Sequence, residues 1–187
     1  GRRRVLRRGL RGTPPRAGGR RSYPAQLWAI STAVNEQIAF RMTEVDGAPA
    51  VWPVVHPTFT VLNPERETFA AVWTRYDDDF GAFHDAVAAL LDEHRGATGL
   101  FPLGPPPPNA FDVSSIPWTS FTGFTLDIAA GADHLAPIIT LGRYVERDGR
   151  TLMPVAVQVH HAAADGLHAA RLVERLRALL GEPGWLA

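Results

Sequence analysis

The apolar positions change period several times along the chain, and each change predicts an element. Leu27, Ile30, Val34 and Ile38 recur at a spacing of three to four, which predicts an amphipathic helix over 24–38 with Pro24 at its start. Strands at 39–44 and 50–55 flank Asp46-Gly47, a hairpin signal, and PTFTVL at 57–62 alternates as a further strand. Asp77, Asp78 and Asp79 put negative charge on the first turn of the next helix, whose apolar stripe is Phe80, Phe83, Val87, Leu90 and Leu91. PLGPPPP at 102–108 reads as a stiff, extended surface connection. Strands are predicted at 121–128, 137–146 and 151–159, the last two joined at Asp148-Gly149. The closing helix, 166–180, buries Ala169, Leu172, Val173, Leu176, Leu179 and Leu180, and Gly181 stops it. Helices mixed with hairpin-connected strands predict an α/β two-layer sandwich with a mixed, largely antiparallel sheet.

Composition adds a division that the period does not show. The chain has 187 residues and no net charge, yet all nineteen basic residues are arginine. Nine lie within residues 1–21, where there is no acid. Ten arginines against nineteen acids leave residues 22–187 nine charges negative. Residues 1–21 are dominated by Gly, Pro and Arg and have too little apolar surface to offset ordering entropy, so no regular structure is expected there. That leader reads either as an arm for phosphate backbones or as sequence foreign to the fold, such as a GC-rich gene in another frame. The Ala-rich, lysine-free body favours the second, and nucleic acid is not expected as a partner. The absence of cysteine excludes disulfides, thiolate metal sites and cysteine nucleophiles. No apolar run approaches the ~20 residues of a membrane span, and no secretory signal is visible, so a cytoplasmic location is expected.

Chemistry concentrates in QVHHAAADG at 158–166. Alternation along a strand places Met153, Val155, Val157, Val159 and His161 on one face, and Ala156, Gln158 and His160 on the other. His161 thus carries the apolar parity out of the strand's end, toward a partly desolvated position where an imidazole can take a proton from a hydroxyl. Other readings stay open: Asp165 as a helix N-cap, His161 as a core histidine, or a metal site built from His160, His161, Asp165 and His168. The last set crosses a strand–helix junction, so the one-face geometry of a helical zinc motif does not apply, and no metal is expected.

HHAAADG, between a strand and an amphipathic helix, resembles the HHxxxDG motif of the CoA-dependent acyltransferases. SYPAQLWA, FRM, AVWPVVHPTFTV, ETFAAVW, DDDFGAFH, LFPLG, SSIPWTSFTGF and LAPIITLGRY extend the likeness over residues 22–187 and narrow it to the chloramphenicol acetyltransferases. The resemblance implies acetyl transfer from acetyl-CoA, a co-substrate rather than a bound cofactor, to the primary hydroxyl of chloramphenicol. It implies His161 as general base, Ser114 as oxyanion donor, Thr140 acting through a water, and Asp165 holding the site by pairing with an arginine. Phe69, Leu100, Phe101, Phe124 and Leu126 match positions around the antibiotic, and Trp118, Arg143 and Tyr144 match the approach of CoA. A homotrimer with sites between subunits is implied as well.

The family's leading segment, with the arginine that pairs with Asp165, has no counterpart in residues 1–21, so the expected division is a foreign leader at 1–21 and an acyltransferase domain at 22–187 without that segment. Two alternatives stand beside the enzyme reading: an inactive acyltransferase-like fragment or interaction module whose basic arm binds nucleic acid, and an acyltransferase for another acceptor.

Overall fold

A computed structural model describes residues 3–11, 16–17, 20–125 and 134–181. In chain order the strands are β1 (Arg3–Arg11), β2 (Arg16–Ala17), β3 (Arg20–Arg21), β4 (Met42–Val45), β5 (Ala48–Val51), β6 (His56–Asn63), β7 (Thr68–Trp73), β8 (Ala110–Ile116), β9 (Ile138–Gly142), β10 (Val145–Arg147) and β11 (Arg150–His160). The helices are α1 (Ser22–Asn35), α2 (Phe80–Glu93) and α3 (Gly166–Gly181). Among the described residues seven strands form one sheet in the order β1-β11-β9-β8-β6-β7, with β10 pairing β11 off that path. Pairs β6–β8 and β8–β9 are parallel and the rest antiparallel, so the mixed α/β architecture is as the pattern predicts. Parallel neighbours need a crossover, and α2 lies on the one between β6 and β8.

Period-2 alternation sets the layers. Phe59, Val61, Phe111, Val113, Ile139, Leu141, Val155, Val157 and Val159 point to one side and are buried. They share a core with Leu27, Ile30 and Val34 of α1, Phe83 and Val87 of α2, and Leu172 and Leu176 of α3. The opposite parity carries Thr58, Thr60, Asp112, Ser114, Thr140 and Gln158, so the sheet has an apolar helix-side face and a face rich in polar groups.

Several boundaries differ from the pattern's prediction. α1 starts at Ser22 and ends at Asn35, and Ile38 sits exposed in a short 3-10 turn. The aspartates precede α2 instead of occupying its first turn: Asp79 is its N-cap, accepting from the Ala82 N–H at 2.7 Å. Within residues 22–187 two strands have no counterpart in the prediction, β7 and β8, and before that range β1, β2 and β3 have none. The expected strand at 121–128 is absent over 121–125, and 126–128 lie outside the described residues. The strand at 137–146 breaks at Arg143-Tyr144 into β9 and β10. Both Asp-Gly hairpins form as expected, with positive φ at Asp46, Gly47, Asp148 and Gly149. The leader differs most: Arg3–Arg11, expected without regular structure, runs antiparallel to β11 from Arg3↔His160 to Arg11↔Leu152. The outer edge of β11 presents a row of backbone groups, and ladder pairing satisfies them whatever the side chains.

Candidate active site

β6, β8 and β9 run parallel, and their carboxyl ends open together into a cavity of about 720 Å³. A crevice outside the carboxyl ends of parallel strands is a common place for a ligand. Ser114, Trp118, Arg143, Tyr144, Phe69 and Phe124 all line it, so six residues singled out in the sequence meet in one space. Their placement has local causes. Register sets Ser114 opposite Thr140 on adjacent parallel strands, both on the polar-rich face. The turn after β8 presents Trp118, which is 61% exposed, and the Arg143 N–H bonds the Thr119 carbonyl at 2.8 Å, tying that turn to the end of β9. Gly142 makes the close approach possible: a Cβ there would lie 2.8 Å from Cε1 of Phe121 and 3.3 Å from Cβ of Pro154. Phe121 in turn packs against Phe124, with ring centroids 5.6 Å apart.

The other expected pocket residues are placed differently. Leu100 and Phe101 are exposed and lie outside the cavity, in the loop beside the sheet's edge strand, where the Ala71 N–H bonds the Leu100 carbonyl at 2.7 Å. Leu126 lies outside the described residues. Thr140 is buried within β9. Ser114, for which the pattern predicts no strand, is half-buried in β8.

The histidine motif follows the opposite end of β11 from Met153, which lines this cavity. β11 ends at His160, whose Nδ1 accepts from the Ala162 N–H at 3.3 Å, and the chain turns at once. His161 is therefore exposed in the chain by itself, where the parity argument expected partial desolvation; the strand stops one residue too early to carry it inward. Ser114 is level with Thr140, and Thr140 with Ala156. His160, the last residue of β11, lies four residues farther along the strand, about 13 Å from Ser114 in the strand direction, and His161 follows in the turn beyond it.

Asp165 directly precedes α3 and caps it. Oδ1 accepts from the N–H groups of Leu167 at 2.9 Å and His168 at 3.3 Å, and meets His168 Nδ1 at 2.8 Å. The hydrogen bond from the His168 backbone, then that from its ring, holds the Asp165 carboxyl below the usual carboxylate range. The sequence left Asp165 without its arginine; the structure gives it His168 and keeps it exposed, so no unpaired buried charge arises. Among the described residues no group of three or more His, Asp or Glu side chains converges as a metal-binding set.

Tyr144 and Gln26 complete the wall in a way the sequence did not signal. Gln26 lines the cavity from α1 with Tyr23, and its Nε2 donates to the Tyr144 hydroxyl oxygen. Burial pushes the Tyr144 phenol up to about 12.

The architecture is that of acyltransferase cores. A solved chloramphenicol acetyltransferase superposes with a TM-score of 0.80 at 20% identity, covering 95% of this chain and 88% of its own. Dihydrolipoamide acetyltransferase from Azotobacter vinelandii superposes at 0.75 with 20% identity, over 99% of this chain and 84% of its own. These likenesses show the fold. The family follows from sequence: the chloramphenicol acetyltransferase model matches residues 16–177. The chloramphenicol acetyltransferase of Streptomyces acrimycini is 65% identical over 172 residues, 91% of this chain and 78% of its own. The chain belongs to the chloramphenicol acetyltransferase family.

Proposed function

We propose that the chain transfers the acetyl group of acetyl-CoA to the primary hydroxyl of chloramphenicol, inactivating the antibiotic. The observation that carries this is 65% identity to a chloramphenicol acetyltransferase over 91% of the chain. His161 is the general base. Its imidazole takes the hydroxyl proton as the alcohol oxygen attacks the thioester carbonyl, and Ser114 donates to the oxyanion that forms. Collapse expels the CoA thiolate, which recovers the proton from the imidazolium, leaving the acetyl ester and free CoA. Thr140, buried beside Ser114, assists through a bound water. Asp165 acts by holding the start of α3, and with it the turn that carries His161. Phe69 and Phe124 take the acceptor's side of the cavity, and Trp118, Arg143 and Tyr144 receive CoA; Leu100, Phe101 and Leu126 are assigned to the drug on the family likeness alone.

The span of about 13 Å from Ser114 to the end of β11, with the exposed His161 in the turn beyond, supports a site completed by a second copy, with the His161 of one subunit entering its neighbour's cavity. A homotrimer satisfies this by closed symmetry. Among the described residues no helix is long and apolar enough to cross a membrane, consistent with a cytoplasmic enzyme.

The test is incubation of purified chain with acetyl-CoA and chloramphenicol, with the product identified by mass. The primary-hydroxyl ester should appear only when both substrates are present. Its absence, with acetyl-CoA consumed on another hydroxyl or amine acceptor, would replace the drug in the proposal.

A further inference from the structure

A glutamine buried on the cavity side of α1 needs a reason. Gln26 is 5% exposed, flanked by Ala25 and Leu27, which are as deeply buried. An amide in such surroundings is costly unless it is hydrogen-bonded, and its Nε2 bonds a residue 118 positions away, the Tyr144 hydroxyl. The direction of that bond matters. Because the amide N–H occupies a lone pair of the phenol oxygen, the phenol's own proton is left over, and no acceptor for it occurs among the described residues. Both side chains line the cavity of about 720 Å³. The phenol is protonated at neutral pH, and burial raises its pKa further. Tyr23, one turn before Gln26 and on the same wall, has a buried hydroxyl with no partner among the described residues.

We propose that Gln26 is a positioning residue for the acyl donor: by donating to the Tyr144 oxygen it aims the phenol's O–H into the cavity, toward an acceptor oxygen of CoA. That oxygen is an amide carbonyl of the pantetheine arm or a phosphate oxygen. The inference rests on the proposed function, since CoA is the ligand concerned. Reversing the polarity of the pair separates positioning from packing. In Gln26→Glu the carboxylate accepts the phenol's proton, so the cavity loses its donor while side-chain size is kept; Gln26→Leu removes the bond altogether.

The experiment measures CoA, pantetheine and ADP binding by calorimetry, with KM for each substrate, in the unsubstituted chain, both Gln26 variants, Tyr144→Phe and Gln26→Leu/Tyr144→Phe. Melting temperature checks that each variant folds. Gln26→Glu should weaken CoA binding about tenfold and Gln26→Leu about threefold, the size expected for one hydrogen bond. The loss should appear in KM for acetyl-CoA and spare KM for chloramphenicol. Gln26→Leu should add nothing once Tyr144 is Phe. A loss on pantetheine assigns the amide carbonyl, and a loss confined to CoA and ADP assigns the phosphate. Unchanged CoA affinity in Gln26→Glu, or losses that add in the double variant, would overturn the proposal and leave the proposed function standing. Failure of the unsubstituted chain to bind CoA at all would overturn the proposed function, and this inference with it.

Discussion

Ser114 and Thr140 stand side by side because two parallel strands are in register at that point, and this places the serine on the cavity wall before any ligand arrives. A donor set in advance acts mainly when negative charge develops. Ser114→Ala should therefore lower kcat about 100-fold, with KM for either substrate nearly unchanged. A loss seen only in KM would make Ser114 a pocket residue. Asp165 gives a pH prediction at the same scale. Its folded pKa is depressed by the His168 N–H and ring and by the Leu167 N–H, so its stabilisation is present above the unfolded value. It is lost as pH falls below about 4, through the lower folded value. The difference in urea midpoint between the unsubstituted chain and Asp165→Ala should be clear at neutral pH and shrink below that window. A gap that persists in acid would mean the carboxylate's charge is not what caps α3.

Among the elements, β9 carries the tightest constraint. Gly142 lets the Phe121 ring lie against the strand, where a Cβ would meet it at 2.8 Å. Gly142→Ala should push Phe121 and its neighbour Phe124 aside, raising KM for chloramphenicol with less effect on Tm. A melting temperature that collapses while KM holds would place Gly142 in the stability of the sheet instead. The elements also show what the sequence could reveal. α3 and the two Asp-Gly hairpins were legible because period and turn chemistry agree there with the final structure. β7 was missed because ETFAAVW alternates poorly, Ala70 and Ala71 giving no contrast between faces. β8 was missed because Asp112, Ser114 and Ser115 read as a loop; they are tolerated in a strand whose second face is polar. The residues of the cavity were recognisable from their joint spacing, which family likeness supplied. Gln26 was invisible, since a lone glutamine on a helix gives no signal until its partner, 118 residues away, folds against it. Strand pairing by Arg3–Arg11 was equally unreadable, because backbone hydrogen bonds carry no side-chain signature.

At the scale of the whole molecule, the separation of His161 from the Ser114 cavity is why the proposed mechanism includes assembly. If each site joins one subunit's histidine to the next subunit's serine, two dead variants can repair each other. Co-refolding equal amounts of His161→Ala and Ser114→Ala chains should give mixed trimers active at about one site in three, or roughly one site in four over the whole population. Complementation that fails, with mixed trimers verified by mass, would place both residues in a site of one chain. The most direct measurement of the central claim is CoA thiol release from acetyl-CoA, with and without chloramphenicol, by the unsubstituted chain, His161→Ala and His160→Ala. The account predicts chloramphenicol-dependent release that falls at least about 100-fold in His161→Ala and survives in His160→Ala, whose ring serves the turn by accepting from Ala162. Undiminished release in His161→Ala would contradict it.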